Sequence, residues 1–237
     1  HQSIGAPQPL KMFGTPEQKK KFLPKLAKSV SAFALTEPGA GSDPSKMTTS
    51  AVLSEDGNYW ILNGTKLWCT NGNQADAIIV MARTPDVMVK GKVQKQISAF
   101  LVETNTPGFT VTHRCDFMGL KAIQNGIIEF KNIKIPKENL IGELGQGLKI
   151  ALVTLNTGRL SLPSTSVGLG KKCVQVLRYW VKERFQWGTQ IGNHEEIASK
   201  VALAASGTFA MESITDWACH VVDRGGRDIR LEAAMSK

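Results

Sequence analysis

The residues whose types and spacing suggest chemistry lie in two short segments that each follow strand-like sequence. The first segment, residues 35–43, reads Leu-Thr-Glu-Pro-Gly-Ala-Gly-Ser-Asp. Its glycines allow the main chain to approach a ligand closely, so that successive N–H groups could face an anion or a planar ring. Taken alone, such a segment is more typical of a tight surface turn than of a binding site.

The second segment, residues 68–72, reads Trp-Cys-Thr-Asn-Gly. Alternate residues of a strand share a face, so Trp68 and Thr70 would form an aromatic wall beside a hydroxyl group. A flat, conjugated heterocycle requires this pairing of an apolar surface with a hydrogen-bonding group. By itself, however, a tryptophan at the end of a strand belongs more often to the core than to a cofactor site.

The overall composition limits the classes of function. Hydrophobic residues make up 42% and charged residues 21% of the 237 residues, which allows a packed core. The net charge is +9, but the lysines are spread along the chain, and the dense run at residues 19–21, with Lys25 and Lys28, is predicted to be a solvated helix face. Because no zinc finger and no basic stripe with interleaved aromatic residues occurs, no nucleic-acid ligand is expected. A ligand that carries phosphates fits the charge equally well.

Metal binding and membrane crossing are not expected either. The four cysteines are far apart and have no histidine at metal-ligand spacing, which predicts reduced thiols rather than a zinc site or a disulfide framework. They are Cys69, Cys115, Cys173 and Cys219. No apolar run approaches the ~20 residues that a membrane-spanning helix requires.

Three blocks of different periodicity must position the two segments. Residues 1–30 are predicted to be helical, with Thr15 as the N-cap, a proline at the first helical position and Gln18 completing a capping box. Residues 31–142 alternate with period two and form a predicted β domain. Residues 143–237 return to helical spacing.

The middle block is predicted to form an antiparallel sandwich or barrel, because short strands with frequent turns favour that architecture over a parallel sheet. Its predicted strands are Ala32–Leu35, Tyr59–Leu62, Ala77–Met81, Ile97–Val102, Phe109–Thr112 and Gly126–Phe130. The turn signals between them are Glu55–Asn58, Asn63–Gly64, Asn71–Gly72 and Thr106–Gly108. No glycine-rich strand-to-helix fingerprint occurs, so a Rossmann dinucleotide site is not predicted.

The last block is predicted to form a bundle of long helices. Apolar residues recur at helical spacing in 151–156, 174–181 and 194–222, and another helix is predicted to start near Asp228. Pro163 is expected to kink the first helix or to mark its true start. The predicted fold class is therefore α+β: a helical segment, an antiparallel β domain and a C-terminal helical bundle.

Considered together, the two chemical segments resemble the middle β domain of the acyl-CoA dehydrogenases, in which both wrap the flavin. Further matches follow in the same order and extend over essentially the whole chain. They are HQSIG (1–5), FGTPEQK (13–19), MGLK (118–121), IPKENLIG (135–142), NTGR (156–159) and RFQWG (184–188). The opening HQSIG, the insertion Thr84–Gln96 and Gly158 before Arg159 resemble the very-long-chain subtype most.

The resemblance implies FAD as the cofactor. Thr36 would bond the pyrimidine edge of the flavin, Thr70 would face its reactive N5, and the indole of Trp68 would cover the ring. Main-chain groups of both segments would supply further contacts. The other cofactor residues implied in this half of the chain are Phe33, Leu35, Gly41, Ser42 and Cys69.

A second group of cofactor contacts is implied near the end of the first long helix. Arg184, Gln186 and Trp187 match a segment that reaches the FAD of a neighbouring subunit, so a homodimer or homotetramer is expected. The forked donors of an arginine suit a pyrophosphate.

The reaction implied is α,β-dehydrogenation of a long-chain fatty acyl-CoA in fatty acid β-oxidation, with electrons passed to an electron-transferring flavoprotein. The implied substrate contacts are Ser42, Asn156, Thr157, Gly158 and Arg159. In most members the general base is a Glu in an EGT segment, which does not occur before Lys237. A smaller set places the Glu directly before the arginine that matches Arg159, where this chain has Gly158. No catalytic residue is therefore assigned, and the base is expected beyond Lys237.

Two departures from the family pattern affect the implied CoA contacts. Residues 123–125 read Ile-Gln-Asn where the family usually has a serine and a small polar pair, and Pro163 is the other departure. Both termini are expected to be cut ends, because the chain starts at His1 and a helical pattern runs up to Lys237. The family implies a mitochondrial location in a eukaryote and a cytoplasmic one in a bacterium; peripheral membrane association would depend on a C-terminal extension.

Two other functions stay open. An acyl-CoA oxidase would use oxygen to reoxidise the same flavin, although the sequence TEPGAGSD is less typical of oxidases. An assembly or scaffold protein would keep the dehydrogenase fold without turnover. The full-length sequence discriminates, because an EGT glutamate supports an enzyme and a neutral residue in its place supports a scaffold.

Overall fold

The computed structural model describes residues 5–89, 91–225 and 228–236. The chain divides into two compact units: an N-terminal unit that ends at Thr154 and a C-terminal unit that begins at Leu155. The three-part division into residues 1–30, 31–142 and 143–237 stays a prediction.

The N-terminal unit begins with two short helices, α1 (Pro7–Phe13) and α2 (Pro16–Leu26). The predicted start of α2 is confirmed: Thr15 Oγ1 accepts a hydrogen bond from Gln18 N at 3.2 Å, and Gln18 Oε1 accepts one from Thr15 N at 2.8 Å. The Gln18 amide also donates to the carbonyl oxygens of Glu138 and Leu140, at 2.6 and 2.7 Å. One buried glutamine therefore caps the helix and fastens it to the β domain.

An eight-stranded sheet follows. Its strands are β1 (Ser31–Ala34), β2 (Ser50–Leu53), β3 (Tyr59–Thr70), β4 (Ala77–Val89), β5 (Lys92–Glu103), β6 (Phe109–Arg114), β7 (Asn125–Pro136) and β8 (Leu140–Ile141). They are ordered β6-β7-β3-β2-β4-β5-β8, with β1 paired to β4. Neighbours are antiparallel except for β1 with β4 and for one parallel residue pair between β2 and β4.

The first half of β4, Ala77–Ala82, is buried on both faces, which explains its continuous apolar sequence. Ile79 packs in a cluster with Phe22 of α2, whereas the neighbouring Ile78 packs in a second cluster with Trp60 of β3 and Phe130 of β7. The second cluster joins side chains of β1, β4 and β5 with side chains of β2, β3 and β7. The α+β fold class with a β-sheet domain before a helical C-terminal domain is confirmed.

The sequence prediction fails at Asn63–Gly64, which lies inside β3 and not in a turn. The register between β3 and β7 shifts between Leu62 and Gly64, so the pair forms a bulge. Gly64 has a φ of +147°, and a Cβ at this position would lie 2.4 Å from Thr49 Oγ1. Gly64 thus packs closely on Thr49, a residue that is distant in sequence, and a local turn signal contains no information about this contact. The insertion Thr84–Gln96 extends β4 and β5 into a longer hairpin.

The helices α3 (Gly147–Glu183), α4 (Glu195–Arg224) and α5 (Arg230–Ser236) supply most of the C-terminal unit, with the short strands β9 (Phe185–Gln186) and β10 (Thr189–Gln190) between α3 and α4. Pro163 lies within α3 and does not mark its start. The hydroxyls of Ser164 and Thr165 donate to carbonyls one turn earlier, which adds hydrogen bonds around the proline. None of the helices in the described ranges combines the length and hydrophobicity that crossing a membrane requires.

Candidate functional site

A buried ion pair anchors the segment after β1 to strand β3. Lys66 Nζ lies 2.8 Å from Glu37 Oε1, and the exposed fractions of the two side chains are 0% and 3%. Lys66 Nζ also donates to the Leu35 carbonyl oxygen at 3.0 Å. The Glu37 carboxylate accepts three more hydrogen bonds, from the Thr48 N–H (2.6 Å), the Thr48 hydroxyl (2.8 Å) and the Thr49 N–H (3.0 Å). Both charges are therefore compensated inside the protein.

These contacts set the protonation of the pair. Burial alone would raise the pKa of Glu37, but the hydrogen bonds from Lys66, Thr48 and Thr49 outweigh burial and lower this pKa from 4.5 to about 2. Burial lowers the pKa of Lys66, and its hydrogen bond and charge interaction with Glu37 oppose that decrease. At neutral pH the Glu37 carboxyl is therefore ionised, and its charge favours the protonated form of the neighbouring Lys66.

Strand β3 also fixes the main chain on both sides of Thr36. The Leu35 carbonyl receives the Lys66 ammonium, and the Thr36 carbonyl accepts a hydrogen bond from the Leu67 N–H at 2.9 Å. The Thr36 side chain is half-buried, and its hydroxyl has no hydrogen-bond partner within the part of the chain that the structure describes. This hydroxyl is therefore held in place by its backbone and is free to bind a ligand.

The residues after Glu37 form an exposed turn. Glu37 and Ala40 exchange two main-chain hydrogen bonds, at 3.0 and 3.1 Å, which close the turn. Gly41 and Ser42, both predicted contacts, are exposed just beyond it. Gly39 and Gly41 have open space where a side chain would stand, so a ligand can approach this backbone closely.

Trp68 departs from regular strand geometry. Its φ is +58°, and the register with β7 shifts between Lys66 and Cys69. The alternation of β3 is therefore interrupted between Lys66 and Cys69, two buried side chains three residues apart, while a shared face for Trp68 and Thr70 stays a prediction. The Trp68 side chain is 53% exposed and packs on the Phe117 ring with 5.6 Å between centroids. Part of a large aromatic surface thus remains open beside the turn-forming segment.

Thr70 is held through its hydroxyl oxygen. Asn125, the buried first residue of β7, donates from Nδ2 to Thr70 Oγ1 at 3.0 Å. The Asn125 carbonyl in turn accepts hydrogen bonds from Asn73 Nδ2 at 3.0 Å and from the Cys115 N–H at 2.8 Å. Since the Thr70 oxygen already accepts a hydrogen bond, its own proton is available to an acceptor on a ligand.

The side chains of Phe33 and Cys69 are buried beneath the exposed residues of the two segments. Cys69 Sγ lies 3.6 Å from the Phe33 carbonyl oxygen, and both side chains are buried. Burial raises the pKa of the Cys69 thiol to about 12, so the thiol is neutral and unreactive at physiological pH. A ligand on the open surface can reach these two residues only through their main chain.

In the C-terminal unit, the predicted substrate residues lie on helix α3. Arg159 Nη1 donates to Asn156 Oδ1 at 2.9 Å, so these two side chains form a pair on one turn. Gly158 has open space in place of a side chain. The side chain of Thr157 lies outside the described residues.

The predicted residues Arg184, Gln186 and Trp187 lie at the small hairpin of β9 and β10. Trp187 and the following glycine occupy its two-residue turn with φ values of +51° and +80°, the positive values that a type I′ turn requires. All three side chains are exposed, and Trp187 is 90% exposed, with one ring contact to His194 at 5.7 Å between centroids. The hairpin therefore presents an aromatic ring and a guanidinium group to the surroundings.

The structure thus places the two predicted segments side by side, since the Leu67 N–H donates to the Thr36 carbonyl and Cys69 Sγ lies 3.6 Å from the Phe33 carbonyl oxygen. Sequence reasoning missed the side chains that hold them: Lys66 and Asn125, and Glu37 as an ion-pair partner. The sequence contains one signal for the role of Lys66, because it is the single charged residue of β3. Within the described ranges, no cluster of three His, Cys, Asp or Glu side chains could hold a metal ion.

Comparisons with known proteins agree on one family. The sequence matches the family models "Acyl-CoA dehydrogenase, middle domain" over residues 32–133 and "Acyl-CoA dehydrogenase, C-terminal domain" over residues 145–237. It is 48% identical over 238 residues to the probable acyl-CoA dehydrogenase FadE10 of Mycobacterium tuberculosis. It is 39% identical over 240 residues to the mitochondrial very long-chain specific acyl-CoA dehydrogenase of Homo sapiens. All of this chain is covered in both alignments, together with 36% of each relative.

A solved structure extends the comparison. The acyl-CoA dehydrogenase of Bacillus anthracis, determined in complex with FAD, superposes with a TM-score of 0.80 and 38% sequence identity. That match covers 90% of this chain and 36% of the other. The chain therefore spans about a third of the length of the relatives it matches.

Proposed function

Since the chain belongs to the acyl-CoA dehydrogenase family, we propose that it is part of an FAD-dependent enzyme that introduces a trans double bond between the α and β carbons of a fatty acyl-CoA thioester. The observation that carries this proposal is the open surface at Thr36, Trp68 and Thr70. It combines a free hydroxyl, a half-exposed indole and a hydroxyl with an available proton on a backbone held by a buried ion pair.

This surface has the donor set that an isoalloxazine ring needs. The ring is flat and apolar on its faces and carries acceptors and donors along one edge, so it fits an aromatic side chain flanked by hydroxyls. Thr36 would bond the pyrimidine edge, Trp68 would cover the ring, and Thr70 would donate to N5. The main chains of Phe33, Leu35 and Cys69 would complete the contact. When bound, FAD supplies the acceptor for the hydride that leaves the β carbon.

The contribution of Thr70 follows from its partner. Because Asn125 donates to the Thr70 oxygen, the Thr70 proton is directed to another acceptor, and a fixed donor at the hydride-accepting atom stabilises the charge that develops there. A preorganised donor is more effective than water because it does not need to reorient during the reaction.

The phosphate-bearing parts of cofactor and substrate are assigned to the other predicted residues. Gly41 and Ser42, on the exposed turn, would contact cofactor and CoA. The substrate residues on α3 are assigned to CoA, with Arg159 as the cationic member and Asn156 as its partner. Arg184, Gln186 and Trp187 would bind the FAD of a neighbouring subunit in a homodimer or homotetramer, with the guanidinium on a phosphate. No residue between 1 and 237 is assigned as the base that removes the α proton.

The finer points of the proposal concern substrate, partner and location. A long-chain substrate is favoured by the identity with the human very-long-chain protein. We assign the electron acceptor to an electron-transferring flavoprotein, and the location to mitochondria in a eukaryote or to the cytoplasm in a bacterium. Peripheral membrane association is a further part of the proposal.

The test is the visible absorbance spectrum of the purified full-length protein, recorded before and after anaerobic addition of palmitoyl-CoA. We expect a flavin spectrum that bleaches on addition, because the two-electron reduction of FAD accompanies dehydrogenation. A flavin that stays oxidised with acyl-CoA thioesters of every chain length would contradict the enzymatic proposal. Absence of flavin from the folded protein would contradict the roles of Thr36, Trp68 and Thr70.

A further inference from the structure

The ion pair of Lys66 and Glu37 has a geometry that stability alone does not explain. Of the ion pairs in the described ranges, it is the one with both side chains buried. Apolar residues of similar volume often replace buried ion pairs without loss of stability. The setting would accommodate such a replacement, since Lys66 Nζ also lies 3.9 Å from the Met47 sulfur.

An apolar side chain, however, could not hold the Leu35 carbonyl. Lys66 Nζ divides its protons between that carbonyl, at 3.0 Å, and the Glu37 carboxylate, at 2.8 Å. Glu37 is itself fixed by the N–H groups of Thr48 and Thr49 at the entry to β2. The pair therefore fixes the direction of one peptide group and joins three segments: the chain after β1, the start of β2 and the end of β3.

The fixed peptide group lies next to a proposed ligand contact. With the Leu35 carbonyl directed to Lys66 and the Thr36 carbonyl directed to Leu67 N, both carbonyls around Thr36 point to β3. A released Leu35 carbonyl could rotate, and because the peptide group is planar, the Thr36 N–H would rotate with it. Lys66 therefore fixes the direction of the main-chain donor next to the Thr36 side chain.

We propose that Lys66 and Glu37 are positioning residues for the flavin, with their ion pair holding the Leu35–Thr36 peptide in the orientation that binds the pyrimidine edge. This inference rests on the proposed function, since it requires FAD to be the ligand of this surface. The two residues act through the backbone and do not take part in the chemistry.

The test compares single and double variants of the full-length protein. Lys66→Met leaves Glu37 buried without its cation, so both the melting temperature and the FAD affinity should fall. Lys66→Met combined with Glu37→Gln removes both charges. The single oxygen of Gln can replace the carboxylate oxygen that accepts from Thr48, whereas its NH2 group cannot accept from the Thr49 N–H. We therefore expect this double variant to recover part of the melting temperature that Lys66→Met loses in the apoprotein. Its FAD dissociation constant should remain raised roughly tenfold, because nothing holds the Leu35 carbonyl.

Two further measurements separate positioning from general stability. Circular dichroism of the bound flavin reports the orientation of groups at its ring and should change in the double variant at saturating FAD. The matched control is Lys25→Met, which breaks the exposed pair with Glu103 (3.5 Å) and should leave affinity and flavin spectrum unchanged. If Lys66→Met does not fold, Glu37→Gln alone tests the contribution of the carboxylate, and it should weaken FAD less than the double variant because Lys66 still donates to the Leu35 carbonyl.

The outcomes distinguish this inference from the proposed function. Wild-type affinity and wild-type flavin dichroism in the double variant would overturn the positioning role while leaving FAD binding intact. The positioning role would also be overturned if the FAD affinity followed the melting temperature in every variant. A wild-type full-length protein that binds no FAD would overturn the proposed function and this inference with it.

Discussion

The two groups of proposed site residues are held by different means. Around Thr36 and Thr70, the proposed ligand contacts are supported by buried polar side chains that bond residues far away in sequence, as Lys66 bonds Glu37 and Asn125 bonds Thr70. At the β9–β10 hairpin, Trp187 is held by the local geometry of a two-residue turn. The first group depends on the whole N-terminal unit, whereas the second depends on a few neighbouring residues.

One ion pair from each unit illustrates the same contrast. The Lys66–Glu37 pair is buried, while Lys200 and Glu196 in α4 form a pair whose side chains are 69% and 77% exposed. An exposed pair contributes at most about 1 kcal/mol, whereas removing one partner of a buried pair costs about 3–5 kcal/mol. We therefore expect changes in the N-terminal unit to affect folding and binding together, and changes at the hairpin to affect binding alone.

The largest expected effect comes from adding one methyl group to the N-terminal unit. In Gly64→Ala, the new Cβ would lie 2.4 Å from Thr49 Oγ1 and 2.6 Å from Thr49 Cα, at a φ that alanine rarely adopts. Overpacking and backbone strain together should cost about 3–4 kcal/mol of unfolding free energy. Thermal unfolding of the purified full-length protein measures this loss.

The matched control is a glycine of the C-terminal unit. Gly207 is exposed within α4 and has no atom near the position of an added Cβ. Gly207→Ala should raise helix stability by up to about 1 kcal/mol, because alanine restricts the unfolded chain and favours the helix. A Gly64→Ala protein with an unchanged melting temperature would show that Thr49 does not pack closely on β3.

The contrast also explains what could be predicted from the sequence. The capping box of Thr15 and Gln18 was predicted because its residues are three apart and their types identify it. The segments 35–43 and 68–72 were identified for the same reason, because the residue types that indicate a binding site are consecutive in each segment. Six strands of the β domain were placed by their alternation, whereas β2 (Ser50–Leu53) and the two-residue β8 (Leu140–Ile141) were not among the predicted strands.

The supporting contacts could not be predicted because they depend on strand register. Lys66 and Glu37 are 29 residues apart, and Asn125 and Thr70 are 55 apart. Lys66 is buried in phase with Trp60 and Leu62, and the register shift that follows it brings Cys69 inside three residues later. A period-two pattern contains no information about a shift of one residue, although one residue decides which side chains face the core.

The second-largest expected effect is the loss of stability of the N-terminal unit at acidic pH. The pKa of Glu37 is lowered from 4.5 to about 2, so the folded state binds the proton less readily than the unfolded chain. The corresponding stability, about 3 kcal/mol, is fully present above pH 4.5 and is lost as the pH falls through 4.5 towards 2. Flavin release should follow the same range, since protonation of Glu37 weakens the contact with Lys66.

This response is measured as the melting temperature of the full-length protein between pH 7 and pH 2.5, in the wild type and in Glu37→Gln. The variant should be less stable at neutral pH and should lose less stability on acidification, because its residue 37 does not titrate. Glu196→Gln is the control, since its carboxylate is exposed. Parallel acid profiles for the wild type and Glu37→Gln would contradict the assignment of acid sensitivity to Glu37.

The smallest expected effect on stability, and the sharpest test of the contrast, comes from Trp187→Asn. Asparagine followed by glycine is the sequence that type I′ turns favour most, and asparagine tolerates the φ of +51° better than tryptophan does. The indole makes a single ring contact, with His194, so its removal should cost the fold within about 0.5 kcal/mol, and relief of the backbone could raise stability slightly. The melting temperature of the apoprotein should therefore stay the same or increase.

FAD binding should respond in the opposite direction. If the exposed indole covers part of a neighbouring subunit's cofactor, Trp187→Asn removes a large apolar contact and should weaken FAD roughly tenfold, as truncation of a buried aromatic anchor does. Trp187→Phe, which keeps both an aromatic ring and the strained φ, should retain most of the affinity. A hairpin that becomes more stable while it binds less well would show that the tryptophan is present for its ligand and not for the turn. Wild-type affinity in Trp187→Asn would instead restrict the cofactor site to the surface built by Thr36, Trp68 and Thr70.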